Sequence, residues 1–410
     1  MSAFYSRIPL LALFLGFACL IVAGGLHAAE INRKACLAAL RGKAETRDYS
    51  RQTLDTAFAR IDLLERVISQ DRHQPEFIYT LWDYLDTRVT PERVAYGRRM
   101  KHEYADLLAR INADFGVNPQ YLLAFWGLET NFGRYFGDIP VLDSLATLAC
   151  DSRRNEFFTT QFLEALQIID SGAMRAEEMH GSWAGAMGHT QFLPTTYTGY
   201  AIDYDNDGER DLFNSLPDAL ASSANYLTAI GWHDGERWGR EVELPADFNW
   251  SLAGLGTKKP ISFWREAGVE TVFGDPVPKA DMMASLLLPT GRHGPAFLVY
   301  NNFHVIMKWN RSISYAIAVG YLANRIAGMG KLRADPADSP NLRTETVMEI
   351  QRRLNALGFA AGPVDGIVGS QTRGAVEAFQ IRHGLPADGY PDRHLLSVLR
   401  EVSQTVATSP

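Results

Sequence analysis

An apolar run, Tyr121 to Leu128, ends on a single carboxylate, Glu129, and is framed by Asn118-Pro119 before it and Asn131-Phe132-Gly133 after it. The frame restricts what the run can become. Asn-Pro is a helix start, since asparagine can cap and proline suits the first helical position. Gly133 can adopt the left-handed conformation that stops a helix. A carboxylate on so greasy a helix must be neutralised, paired or put to use, because burying it charged is expensive. The plain alternative for Glu129 alone is a solvated acid at a helix end.

Other helices are expected around it. Thr90-Pro91 repeats the start signal, and Tyr104, Leu107, Leu108 and Ile111 recur at helical spacing. Residues 30 to about 115 read as helical. Residues 181 to 214, rich in Gly, Pro and Asp, read as loops and short turns. Ser215-Leu216-Pro217-Asp218 has capping-box chemistry and opens a helix from Leu216 to about Ile230. A small sheet is expected within residues 235–300, and Tyr315 to Ile326 is again helical. Two prolines mark residues 331–342 as a linker. Beyond it, Ile350, Leu354 and Leu357, then Val376 and Phe379, then Leu395, Leu396 and Leu399 form three apolar stripes. The Asp365-Gly366 and Asp388-Gly389 turns separate them.

The net charge of −7 is mild and no basic stripe occurs, so nucleic acid is excluded as a partner. Arg7, the apolar stretch Ile8 to Val22, and His27-Ala28-Ala29 read as an export signal over residues 1–29, with an uncleaved anchor as the alternative. Cys19 is a poor lipoprotein signal, because apolar residues continue past it. Periplasmic localisation is therefore expected, and an outer-membrane lipoprotein is not. Cys36 and Cys150 would remain; they could pair in an oxidising compartment or stay as buried thiols.

Asp203, Asp205 and Asp207 with Gly208 match the start of an EF-hand calcium loop, with Glu209 offering its carbonyl and Asp211 following. Position 12 is Asn214 rather than a bidentate glutamate, so the ligand set is incomplete. A structural Ca2+ is expected, an acidic surface turn being the alternative. No organic cofactor is indicated.

Several strings resemble a known family. Gly127-Leu128-Glu129-Thr130-Asn131-Phe132-Gly133, Gly181-Ser182-Trp183-Ala184-Gly185-Ala186-Met187-Gly188, Gln191-Phe192-Leu193-Pro194 and Ala224-Asn225-Tyr226-Leu227 resemble the membrane-bound lytic transglycosylase B family. Tyr300-Asn301-Asn302-Phe303 and Trp309-Asn310-Arg311-Ser312 extend the likeness. The segment from Ile350 to Gln380 resembles the three-helix peptidoglycan-binding module of bacterial wall hydrolases.

The resemblance implies a mainly α (α+β) fold. A lysozyme-like catalytic domain would fill residues 30–330, its core at about 116–232, with a small β element, and a peptidoglycan-binding domain would fill residues 343–402. It implies non-hydrolytic cleavage of the MurNAc–GlcNAc β-1,4 bond of peptidoglycan glycan strands, leaving a 1,6-anhydro ring. Glu129 is the implied single acid/base, with Glu76 as its rival. Thr130 stands where the family usually has serine. Ser182, Met187, Gly188 and Gln191 match a cleft loop. Tyr226, Tyr300, Trp309 and Tyr315 are the expected sugar-facing aromatics, core packing being the alternative for Tyr315. Trp309 replaces a frequent tyrosine. His189 reads as an exposed or structural histidine, with a base role as the alternative. Asp218 would close the calcium site. A monomer with at most a peripheral membrane association is expected. A hydrolytic muramidase and an inactive wall-binding scaffold are the competing readings.

Overall fold

The computed structural model describes residues 33–72, 79–335 and 342–408, with side chains to 404. The export signal, Glu76 and residues 336–341 of the linker lie outside the described residues. The chain divides into two compact units and is mainly helical. Among the described residues no helix is long and apolar enough to cross a membrane.

The first unit comprises residues up to 72, 136–187 and 191–199. A helix over 33–44 precedes Arg51–Phe58 and Glu65–Arg72, and the helices Val141–Ala149 and Asn155–Asp170 follow. Ser50 caps the second helix by accepting from Thr53 N at 3.1 Å. Phe158, Phe162, Leu145 and Leu166 are buried in this unit. Cys36 and Cys150 are joined in a disulfide with Cα atoms 5.9 Å apart. Asp71, also buried, pairs with Arg153 and Arg154. A buried carboxylate needs such partners, since leaving one unpaired costs several kcal/mol.

The second unit holds residues 73–135, 188–190 and 200–410. At its centre is the helix Pro119–Thr130. Leu122, Leu123, Ala124 and Phe125 on successive sides are fully buried, worth roughly 1.5–3 kcal/mol for each large side chain. The helices Pro91–Glu103 and Ile313–Ile326 pack against it. Thr90 caps the former, accepting from Arg93 N at 3.2 Å. Asn118 makes no such side-chain cap, so Pro119 alone carries that start signal. The spacing that begins at Tyr104 belongs to a separate helix, Ala105–Phe115, because Tyr104 leaves helical geometry. The loop reading of 181–214 also misses a short helix, Pro194–Tyr200.

The sheet expected within 235–300 is present. Its antiparallel order is Lys259–Pro260, Met283–Leu287, Ala296–Val299, Gly239–Glu243 and Glu270–Thr271. Its core contains Val242, Trp264, Leu286, Leu298 and Tyr300. Trp238 N, at the entry to this sheet, donates to the hydroxyl of Tyr121 at 3.0 Å and so ties the sheet to the central helix. Gly320 permits the contact of the Trp238 ring with the helix Ile313–Ile326; a Cβ there would lie 2.2 Å from the indole.

Three helices, Thr344–Ala356, Ser370–Arg382 and Arg393–Thr408, enclose a core of Ile350, Leu354, Val376, Phe379, Leu395 and Leu399. The same device secures both Asp-Gly turns. Gln351 donates to Asp365 Oδ1 at 2.9 Å and accepts from Gly366 N at 2.8 Å. Gln380 donates to Asp388 Oδ1 at 2.8 Å and accepts from Gly389 N at 2.9 Å. Gly366 and Gly389 both have positive φ, as the turns require.

Candidate active site

Glu129 sits half-buried in the last turn of the central helix. Its Oε1 accepts the indole N–H of Trp309 at 3.0 Å and the hydroxyl of Tyr315. The helices Asn301–Trp309 and Ile313–Ile326 deliver these donors from one helix–turn–helix corner. Ser312 secures the second start, accepting from Tyr315 N at 3.2 Å. Tyr315 is therefore both core packing and a partner of the acid. Replacing tyrosine by Trp309 keeps a donor, because indole has an N–H.

Aromatic rings run on from the acid. Phe125 and Trp309 have centroids 4.4 Å apart, Trp309 and Tyr226 5.3 Å, and Tyr226 and Tyr200 4.8 Å. Burial, then the neighbouring Tyr200, raises the Tyr226 phenol. Flat rings with polar tips are the surfaces on which sugars stack and hydrogen-bond. Sequence reasoning missed Tyr200; its signal is weak, an aromatic in the segment Thr195-Thr196-Tyr197-Thr198-Gly199-Tyr200.

The turn after the acid is unusual. Asn131, Phe132 and Gly133 all have left-handed φ, of 51°, 61° and 74°. Two non-glycine residues in that region carry strain. Thr130 over-determines the turn. Only 1 % exposed, it accepts from Gly133 N at 3.0 Å and donates to the carbonyl of His189 at 2.6 Å. Its hydroxyl thus serves the turn.

His189 accepts the Trp126 indole N–H at Nδ1, 2.9 Å away, and its N donates to Leu212 O at 2.9 Å. Burial lowers its imidazole to about 4, against the opposing charge of Asp211 and a hydrogen bond with the Phe213 backbone. It is a structural histidine here, not an exposed one.

Gly188 has φ 72°, and a Cβ there would lie 2.7 Å from Leu212 O. Tyr300 is only 2 % exposed, in the sheet core, where its hydroxyl accepts from Arg240 Nε at 2.7 Å. Its ring and hydroxyl are both taken up by the sheet, which corrects the expectation that it faces sugar. Ser182, Met187 and Gln191 belong to the first unit. Ser182 Oγ accepts from Ala186 N at 3.2 Å, Met187 is buried, and Gln191 donates to Phe136 O at 3.0 Å.

In the acidic loop, ligand oxygens of Asp203, Asp205 and Asp218 lie within 4.8 Å of one another. Oxygens sharing one Ca2+ at about 2.4 Å would span about that distance, so the donor set fits a hard cation. Asp218 is fully buried; its carboxylate accepts from Tyr204 N at 2.7 Å and Asp211 N at 3.0 Å. Burial pushes it above the usual carboxylate range, while those backbone donors pull it down. Asp203 accepts from Asp207 N and Gly208 N at 3.2 and 2.9 Å, curling the loop. The other expected acids are outside the cluster. Asp207 accepts from Glu209 N at 2.9 Å, and Asp211 caps Phe213 N and Asn214 N at 2.8 and 2.9 Å.

The chain matches the transglycosylase SLT domain family over residues 32–324 and a peptidoglycan binding domain family over residues 343–399. It is 33 % identical over 245 residues to the membrane-bound lytic murein transglycosylase B of Escherichia coli (strain K12). That match covers 58 % of this chain and 65 % of the E. coli protein, slightly under two thirds of its length. SltB3 from Pseudomonas aeruginosa, solved in complex with NAG-anhNAM-pentapeptide, superimposes with a TM-score of 0.83 at 46 % identity, covering 90 % of this chain and 99 % of that one. The E. coli lytic transglycosylase Slt35 in complex with calcium gives 0.61 at 30 % identity, covering 72 % and 92 %.

Proposed function

The chain belongs to the transglycosylase SLT domain family, and on that premise we propose that it is an exported lytic murein transglycosylase. Its substrate is the glycan strand of peptidoglycan, cut at the MurNAc–GlcNAc β-1,4 bond. One observation carries this reading: the carboxyl of Glu129 receives hydrogen bonds from Trp309 and Tyr315 beside a row of aromatic rings.

Cleavage needs a proton on the departing oxygen and support for an oxocarbenium-like centre. Glu129 donates that proton. The carboxylate left behind then takes the proton of the muramic 6-hydroxyl, which attacks the anomeric carbon within the same sugar. The 1,6-anhydro product follows without water, because the intramolecular nucleophile is already in place. The environment serves both states. A helix C-terminus disfavours negative charge, whereas two donors on Oε1 stabilise it. Trp309, Tyr226 and Tyr200 offer the sugar platform.

The supporting parts follow from the same reading. Residues 1–29 direct export to the periplasm, an assignment that the Cys36–Cys150 disulfide supports. The segment 30–330 is the catalytic domain, and 343–402 grips the polymer and raises the local substrate concentration. Asp203, Asp205 and Asp218 would hold Ca2+, whose charge would hold the acidic loop closed. Glu209 O remains a further candidate ligand.

Digestion of purified sacculi followed by mass spectrometry tests the proposal. Muropeptides one water lighter than reducing-end products are expected. Reducing ends alone would establish a hydrolytic muramidase instead. Glu129→Gln should lower the rate by on the order of 10²–10⁴, the usual contribution of a general acid. An unchanged rate would reject Glu129 as the acid.

A further inference from the structure

The two halves of the C-terminal module are built alike but engaged differently. The helix Thr344–Ala356 with the Asp365-Gly366 turn is repeated by the helix Ser370–Arg382 with the Asp388-Gly389 turn. The likeness extends beyond the glutamine clasps. Asp365 Oδ1 accepts from Ile367 N at 2.9 Å, and Asp388 Oδ1 accepts from Tyr390 N at 3.0 Å. The start of each helix stands over the glycine of its turn. A Cβ on Gly366 would lie 3.1 Å from the Thr344 carbonyl, and one on Gly389 3.3 Å from that of Arg373. Two donors on Oδ1 fix the plane of each carboxylate, and with it the direction from which Oδ2 can accept.

In the second copy that direction is taken. The loop between the strands Met283–Leu287 and Ala296–Val299 lies against it. Asp388 Oδ2 accepts from Arg292 N at 3.1 Å, and Arg373 donates to the Pro289 carbonyl at 2.7 Å. Tyr390 packs on Gly291, where a Cβ would lie 2.9 Å from that of the tyrosine. The second half is therefore occupied by backbone amides of the same chain. The first half keeps the carboxylate without an occupant. Asp365 is exposed, and its Oδ2 has no hydrogen-bond partner among the described residues. Thr344 stands where the second copy has Arg373, so no guanidinium shares that oxygen. Ile367 stands where it has Tyr390 and offers an apolar wall.

We propose that Asp365 Oδ2 is the point at which the module grips the wall, accepting the acetamido N–H of a glycan sugar whose methyl group packs on Ile367. The inference rests on the proposed function, which supplies the polymer, and deepens it by naming the group that is held. An ionised carboxylate only accepts hydrogen bonds, and its bond to an amide N–H is strengthened by charge. It repels anions, so the neutral acetamido group suits it and the anionic peptide stem does not. Its counterpart Asp388 already holds an amide N–H in the same way.

The test measures binding of the full chain to immobilised glycan strands stripped of peptide by an amidase. Asp365→Asn keeps an oxygen for Gln351 and Ile367 N but presents an NH2 where Oδ2 stood, so an acceptor becomes a donor. It should melt with the parent and bind roughly 3- to 10-fold more weakly, the scale of one hydrogen bond. Thr344→Arg leaves the clasp intact and sets beside Asp365 the guanidinium that Arg373 sets beside Asp388. It should weaken binding as well, and it decides alone if the asparagine variant melts early. Strands freed of their acetyl groups should be held equally by parent and variants. Equal binding of stripped strands by parent and variants overturns the proposal. So does a loss confined to peptide-bearing strands, which would give the site to the stem, or a difference that persists without acetyl groups. Binding needs no turnover: should the parent yield no anhydro ends, the proposed reaction fails, while a weaker grip by the variants still supports the site.

Discussion

Trp126 donates its indole N–H to Nδ1 of His189 across 2.9 Å. The contact fixes the imidazole as the tautomer that carries its proton on Nε2. A ring so engaged cannot also take a proton from a substrate at Nδ1, and it remains neutral far below physiological pH. Its work is mechanical: with the Thr130 hydroxyl on its carbonyl, it fastens residue 189 to the helix that bears the acid.

That fastening makes Thr130 sensitive to one atom. Thr130→Val keeps the shape and removes the hydroxyl, stranding Gly133 N and the His189 carbonyl. A loss of about 1–3 kcal/mol is expected from unsatisfied buried groups, read as a lower denaturant midpoint together with reduced sacculus lysis. Thr130→Ser should retain both. A stable, fully active valine variant would refute this role.

The two donors to Glu129 should matter to rate more than to fold. Trp309→Phe and Tyr315→Phe each delete one hydrogen bond while preserving a ring. Each should reduce kcat by roughly 10- to 100-fold, by analogy with the loss of one preorganised donor. The double variant should fall short of the product of the two, since both act on one oxygen. Initial rates on a defined glycan provide the check, and single-variant rates within twofold of the parent would count against the arrangement.

Stability should decline in mild acid. His304 lies on the helix Asn301–Trp309 with its Nε2 buried and without a hydrogen-bond partner among the described residues. Burial, then repulsion by Lys258 and Lys308, lowers its imidazole to about 4. An unfolded histidine titrates near 6.5. Between these values the unfolded chain binds the proton that the folded one refuses, so the stabilisation is complete above pH 6.5 and is lost as the pH falls towards 4. Thermal midpoints measured from pH 7.5 to 4.5 should drop, and His304→Gln should flatten part of that slope. A midpoint that rises in acid would contradict the assignment.

Calcium should stabilise through the acidic loop. A ligand that binds only the folded state adds about 2.7 kcal/mol at a hundredfold excess over its Kd. Millimolar Ca2+ should therefore raise the melting temperature, and a chelator should reverse the rise. Asp203→Ala should abolish the increment. Asp218→Asn should cost stability even in chelator, because that carboxylate also accepts from Tyr204 N and Asp211 N. A calcium response unchanged in Asp203→Ala would dismiss the site.

How legible was this molecule in its sequence? The acid on an apolar helix is visible because the conflict between burial and charge lies within one short string. The sheet and the C-terminal helices are visible because their period and turn chemistry are local. Tyr300 misleads because a residue in a family string can serve the core as readily as the site. Trp126 and His189, or Glu129 and Tyr315, meet only through folding, so no local signal pairs them. Asp207 and Asp211 follow the calcium spacing, yet their carboxylates fall outside the cluster of Asp203, Asp205 and Asp218, because spacing alone does not fix where the folded loop carries each oxygen.

The two glutamine clasps of the C-terminal module have a consequence of their own. Small domains commonly rely on cystine or zinc for rigidity, and this module contains no cysteine. Gln351 and Gln380 lock its bends with hydrogen bonds from neutral amides, which neither reductants nor chelators can undo.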